Sequence, residues 1–119
     1  MHTHPERAVV YMRDVLIGAY CCRMEGNRED GVKLYILTIG VLEPYRRLGI
    51  GDRMLTYILA KVSAQFEIKE VYLHVQLGND AALAFYQKQD FCVDSVVPDY
   101  YKNIEPTGAT LLRKSVNQP

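Results

Sequence analysis

A chain of 119 residues holds enough polypeptide for one domain and a single core. Lysine and arginine number 14 and aspartate and glutamate also 14, so there is no general attraction for nucleic acid or an acidic membrane, and any positive site is local. No apolar run reaches the ~20 residues that span a bilayer, and the opening MHTHPER lacks a signal peptide's apolar core, so a cytoplasmic or nuclear protein without direct membrane contact is expected.

In chain order, RAVVYM (7–12) and VLIGAYCCRM (15–24) read as strands joined by a tight hairpin at Arg13-Asp14. The charged EGNREDG (25–31) reads as a solvated loop, and VKLYILTIGVL (32–42) as a third strand in which Gly40 allows a bulge or the close approach of another backbone. From Asp52 onward, Met54, Leu55, Ile58, Leu59, Val62 and Phe66 form a helical apolar stripe. EVYLHVQL (70–77) is short and β-branched, a strand. Asn79 can cap a helix over 80–89 with Ala82, Phe85 and Tyr86 turned inward. FCVDSVV (91–97) and GATLLRKS (108–115) complete the order β-β-β-α-β-α-β-β. This order predicts one α/β (α+β) domain over 1–119, with a mixed central sheet, helices on its faces and residues 1–6 disordered. The odd set Cys21, Cys22 and Cys92 reads as buried reduced thiols, with redox or metal chemistry as the alternative.

The stretch PYRRLGIGDRML (44–55) carries the strongest chemical signal. It follows a strand and opens a helix, and in sheets with strand-helix-strand crossovers ligands collect at such strand ends. Amides from Arg47 to Gly51 not yet committed to the helix can point at an anion. Gly49 and Gly51 keep Cβ atoms out of its way, while Arg46 and Arg47 add charge. A tight strand-to-helix turn alone also explains the two glycines. A Walker loop and a dinucleotide fingerprint do not fit, because the following Lys-Ser/Thr and the third glycine with its later acid are absent.

RRLGIG fits the pattern Arg/Gln-x-x-Gly-x-Gly/Ala, and NDAALAFYQKQDF (79–91) fits a helix of pattern Asn-x-x-Ala-x-x-x-Tyr. On these motifs the sequence resembles the GNAT superfamily of acetyltransferases. More narrowly, LYILTIGVLEPYRRLGIG, VYLHVQLGNDAALAFY and YYKNIEP are similar to N-terminal α-amino acetyltransferases of the NatE type, over about residues 6–114. The resemblance implies the GNAT fold and acetyl-CoA as co-substrate, with no metal. It places the co-substrate along Ile39, Gly40, Val41, Arg46, Arg47, Leu48, Gly49, Ile50, Gly51 and Asp52, and along Asn79, Ala82, Phe85, Tyr86 and Lys88. It gives the proton work to Tyr35 and His74, and lays the peptide near Leu37, Tyr100, Tyr101, Lys102 and Asn103. Implied substrates are protein N-termini beginning with methionine and an apolar residue, with lysines secondary. The implied partner is the ribosome-bound NatA-type complex.

Strand alternation puts Tyr35, Leu37 and Ile39 on one face, and Tyr72, His74 and Gln76 on one face of the next strand. By residue type alone His74 also fits a hydrogen-bonded core histidine, Tyr35 an ordinary strand residue, and Tyr86 a helix residue packed on the sheet. The two tyrosines of DYYKNIEP (99–106) fit either a clasp around an extended peptide or a packed loop with one buried ring. The chemistry needs a neutral amine and one proton acceptor. An α-amino group of pKa ~7.8 is roughly a quarter neutral at pH 7.4, a lysine of pKa ~10.4 only about 0.1%. A histidine near neutrality, directly or through water with Tyr35, is base enough, and amides near Gly40 are expected to meet the thioester carbonyl.

Two departures from the family pattern stand out. The family fold opens with a strand and two helices before the hairpin, whereas about seven residues precede it here, so an N-terminally shortened domain with an exposed apolar face is expected. Asp90 stands where the helix usually ends in glycine. Three readings follow: an active N-terminal acetyltransferase, a module that binds acetyl-CoA or a NatA-type partner without turnover, and an enzyme for a small amine or lysine.

Overall fold

The computed structural model describes residues 4–12, 15–27 and 29–116. The chain gathers into two compact units: one runs up to Val71 and is rejoined at Val116, the other runs from Tyr72 to Ser115. The hydrogen-bonded strand order is β1-β2-β3-β4-β6-β5.

In the first unit β1 (His4–Met12), β2 (Val15–Asn27) and β3 (Gly31–Val41) form an antiparallel meander. β1 starts at His4, so residues 4–6 belong to a strand and not to the disordered end expected for 1–6. Residues 1–3 and the Arg13-Asp14 turn lie outside the described residues. The loop expected over 25–31 is mostly strand, because the reversal is tight. The Asn27 side chain accepts from the Asp30 amide at 2.7 Å and donates to the Asp30 carboxylate at 3.1 Å. Gly26 and Gly31 sit at φ +98 and +99, and a Cβ on Gly26 would collide with the Gly31 carbonyl.

The β2–β3 register slips once. Cys22 pairs with Ile36 but Cys21 with Thr38, which leaves Leu37 as the extra residue of a β-bulge. Opposed residues of an antiparallel pair share a face, so the bulge changes the alternation. Tyr35, opposite Arg23, goes with Thr38 and Gly40, while Ile39, opposite Tyr20, goes with Leu34 and Ile36. The expected shared face of Tyr35, Leu37 and Ile39 is therefore corrected. Close backbone approach occurs not at Gly40, whose Cβ position is open, but across from it at Gly18, where a Cβ would lie 2.9 Å from the Gly40 carbonyl oxygen and 3.3 Å from Met54 Cε.

After a 3-10 turn (Glu43–Tyr45), the helix begins at Ile50, two residues earlier than its apolar pattern suggests. It runs as α1 (Ile50–Tyr57), a π turn (Ile58–Val62) and α2 (Ser63–Gln65). Ile50, Met54, Leu55, Ile58 and Val62 are buried, Leu59 and Phe66 half-buried, and α1 packs on β2 and β3. In the wider π turn the buried Ser63 hydroxyl donates to the Ile58 carbonyl at 3.1 Å. From Glu70 onward β4 (Ile68–Gln76) alternates, with Val71, Leu73 and Val75 buried and Tyr72, His74 and Gln76 half-buried on its other face, while Ile68 at its start is buried out of that pattern. Lys33 of β3 meets Glu70 at 3.4 Å, and the Val116 amide donates to the Lys69 carbonyl at 2.8 Å.

The second unit adds α3 (Asp80–Lys88) and the antiparallel pair β5 (Cys92–Val97) and β6 (Ala109–Ser115). Asn79 caps α3, its side chain accepting from the Ala82 amide at 3.1 Å. The other end is a Schellman closure. The Phe91 amide donates to the Tyr86 carbonyl at 3.1 Å and the Asp90 amide to Gln87 at 3.0 Å, with Asp90 itself at φ +68. The Tyr86 and Phe91 rings meet edge to face at 5.6 Å, the apolar contact that accompanies this motif.

Candidate functional site

The loop between β3 and α1 is shaped to leave amides free of the helix. Arg46 folds back, its Nε donating to the Val41 carbonyl at 2.8 Å, and Arg47 and Gly49 take left-handed conformations at φ +68 and +78. The helical ladder begins with the Arg53 amide on the Gly49 carbonyl at 3.0 Å, so the amides of Ile50 and Gly51 precede its first rung. Gly49 supplies no side-chain cap, and apart from its chain neighbours nothing lies within 4 Å of where its Cβ would be. Arg46, Arg47, Leu48 and Gly49 are exposed, Gly51 and Asp52 half-buried and Ile50 buried. Positive partial charge at the helix end, an open space and two arginines form a cradle suited to a diphosphate.

Upstream on β3, Ile39 and Val41 are half-buried and Gly40 is exposed. Leu37, at the bulge, is 47% exposed. As the extra residue of the bulge, Leu37 is left out of the ladder with β2. Tyr35 is half-buried beneath the Arg23 guanidinium, which lies 5.3 Å from the ring centroid and is held by Glu25 at 3.0 Å. Sequence inspection misses Arg23, since only the register sets it opposite Tyr35.

In the second unit His74 is half-buried on β4, and burial holds its imidazole below the ordinary value of 6.5. The Tyr100 ring stacks on it, centroids 4.0 Å apart and planes 16° from parallel. Tyr101 meets Tyr100 edge to face at 4.9 Å, and burial first, then the neighbouring Tyr100, raises the Tyr101 pKa above 10.0, so this hydroxyl keeps its proton. Neither ring is buried: Tyr100 is 37% exposed and Tyr101 half-buried, with Lys102 and Asn103 exposed after them. The segment is closed by Thr107 Oγ1 donating to Asp99 at 3.0 Å and the Tyr101 amide donating to the Thr107 carbonyl at 2.8 Å. Gln76 Nε2 ties it to β4 through the Pro106 carbonyl at 3.0 Å. Neither the stack nor this tie has a local signal in the sequence.

Along α3, Asn79 and Lys88 are exposed, Ala82 and Phe85 half-buried, and Tyr86 is buried between Phe85 and Phe91. Tyr35 thus belongs to the first unit with the Arg47–Asp52 cradle, and His74, Tyr100, Tyr101 and α3 to the second. Of the three cysteines only Cys22 is buried. Cys21 is half-buried and Cys92 exposed, which corrects the expectation for them, and all three are free thiols. Among the described residues no cluster of three or more His, Cys, Asp or Glu side chains is placed to hold a metal, and no helix is long and apolar enough to cross a membrane.

Comparison with known proteins gives this geometry a context. The model of the acetyltransferase (GNAT) family matches residues 1–91. The chain is 42% identical over 111 residues to N-alpha-acetyltransferase 50 of Danio rerio, covering 93% of this chain and 66% of that protein. It is 40% identical over 110 residues to the probable N-acetyltransferase san of Drosophila melanogaster, covering 92% and 59%. The chain therefore spans roughly three fifths to two thirds of the length of these relatives. Among solved structures it is similar to Arabidopsis thaliana Naa50 in complex with the bisubstrate analogue CoA-Ac-MVNAL, at 38% identity and a TM-score of 0.85, covering 92% of this chain and 72% of that one. With its glycine-led helix end after β3, its mixed sheet and these matches, the chain belongs to the acetyltransferase (GNAT) family.

Proposed function

We propose that the chain transfers the acetyl group of acetyl-CoA to the α-amino group of peptides beginning with methionine and an apolar residue. The observation that carries the reading is the uncapped start of α1, where Gly49 is left-handed and no protein atom fills the place of its Cβ. Diphosphate binds there through the amides of Leu48 to Asp52 and the charge of Arg47, with Arg46 bracing the loop from Val41. Ile39, Gly40 and Val41 line the approach along β3. Asn79, Ala82, Phe85, Tyr86 and Lys88 of the α3 segment form the second co-substrate contact, and the buried Tyr86 also packs on Phe91.

In the reaction the neutral amine attacks the thioester carbonyl carbon, the C–S bond breaks, and the thiolate leaves to take a proton. His74 takes the amine's proton, directly or through a water held with Tyr35, and burial, which lowers its pKa from 6.5, keeps it neutral at pH 7. The backbone at the Leu37 bulge offers a hydrogen bond to the developing oxyanion. Leu37, Tyr100, Tyr101, Lys102 and Asn103 hold the peptide. Support for the substrate class comes from the similarity to a protein seen with CoA-Ac-MVNAL. Protein N-termini on a ribosome-bound NatA-type complex, in the cytoplasm and nucleus, complete the proposal.

The test mixes the chain with acetyl-CoA and a Met-Leu peptide and follows free coenzyme A and the peptide's mass, with a lysine-only peptide alongside. Acetylation confined to the N-terminus is the expected result. Acetyl-CoA binding without turnover would replace the proposal with a binding module, and modification of the lysine peptide alone would move the activity to side chains.

A further inference from the structure

We propose that Tyr100 is a positioning residue for His74, its ring fixing the plane of the imidazole, and that Gln76 sets the segment that delivers this ring. The inference rests on the reading of His74 as the base. A strand decides where the Cβ of a histidine points, but its χ2 torsion is broad and roughly two-fold, so β4 alone leaves the direction of the ring nitrogens open. The Tyr100 ring fixes the plane in which they lie, at 4.0 Å and 16° from parallel. It covers one face of the imidazole.

Tyr100 sits in irregular chain between β5 and β6, which would be a soft support without fastening. Asp99, at φ +52, accepts from Thr107, and the Tyr101 amide donates to the Thr107 carbonyl, so the segment closes on itself. Gln76 then attaches it to β4 through the Pro106 carbonyl at 3.0 Å, and the Leu77 amide adds a bond of 3.0 Å to the Gly108 carbonyl. His74 and Gln76 are two residues apart and share one face of β4. Ring and tie therefore land on the same face, one strand repeat apart. A group held this way keeps the orientation that proton transfer demands, and small misplacements of such groups cost large factors in rate.

The chain holds three histidines, His2, His4 and His74, so imidazole NMR signals of the full chain are few, and His74→Ala identifies the relevant set. Tyr100→Leu is expected to abolish the ring-current shift on the His74 protons and lower kcat about tenfold. Tyr100→Phe retains that shift and recovers kcat, with a raised peptide KM from loss of the hydroxyl. Gln76→Leu gives a smaller loss of the shift and a fall in kcat of about threefold. His74 signals in folded Tyr100→Leu identical to those of the parent would overturn the stacking role, and unchanged signals in Gln76→Leu would overturn the tie. Should Tyr100→Leu not fold, Gln76→Leu together with Tyr100→Phe decides the matter by the same signals. Full turnover in His74→Ala would remove the base assignment instead, while the shifts read in the Tyr100 and Gln76 variants would stand, so the two failures are distinct.

Discussion

Two helix starts in this molecule solve one electrostatic problem in opposite ways. α3 is closed from within, because Asn79 accepts from the Ala82 amide and satisfies one of the donors a helix leaves over. α1 is left open: its N-cap is Gly49, left-handed and without a side chain, and the amides of Ile50 and Gly51 precede the first rung of the helical ladder. A closed start contributes stability to the fold. An open start gives up that contribution and keeps a fixed, positive end for a ligand to satisfy.

The largest expected effect separates binding at the open end from chemistry. His74→Ala should lower turnover about a hundredfold or more while acetyl-CoA affinity by calorimetry stays as it was. Loss of affinity in that variant would merge what the comparison keeps apart. In the parent, burial depresses the His74 pKa, so the acid limb of kcat against pH should fall below 6.5. By the same linkage the unfolded chain takes up this proton first on acidification, so the stability contributed above pH 6.5 declines as pH falls from there toward the folded pKa.

Next comes Gly49→Val, with an expected loss of acetyl-CoA affinity of about ten- to a hundredfold, the worth of a charge-assisted hydrogen bond. It should also cost about 1–2 kcal/mol of stability from the left-handed backbone. Since a Cβ there meets nothing apart from its chain neighbours, unchanged affinity would show that nothing binds against this turn. At the closed end the order of effects reverses. Asn79→Ala should cost about 1 kcal/mol, or about 4 °C in Tm by thermal melt. Asn79→Asp keeps the cap and the Tm but replaces an amide donor with a charge, so weakened acetyl-CoA binding in that variant alone would show that Asn79 also serves the ligand. The smallest change lies at the far end of α3, where Asp90→Gly relieves a left-handed aspartate at φ +68 and should raise stability by about 0.5–1 kcal/mol in urea titration.

The local devices were legible in advance. RRLGIG announced an amide-bearing turn before a helix, Asn79 a cap, Asp90 a strained helix end, and the alternation of β4 correctly put His74 and Gln76 on one face. Each depends on a residue and its neighbours within about four positions, where backbone sterics and hydrogen-bond reach are decided by residue type.

Other features needed the folded chain. The bulge at Leu37 exists only in the pairing of β3 with β2, where it moves Ile39 off the face of Tyr35, while the register running from the Asn27–Gly31 reversal sets Arg23 over that ring. The reversal at Gly26–Gly31 let two strands run on through what charge and glycine had marked as loop. Tyr100 on His74 and Gln76 on Pro106 join residues 26 and 30 positions apart, with no periodicity between them. The sequence by itself determined most of the strands and helices and the glycine-led turn before α1, because those follow from short-range sterics and hydrogen bonding. Only the tertiary structure decided which side chains orient the imidazole and the phenol, because register, bulges and ring contacts are settled by packing between distant parts of the chain.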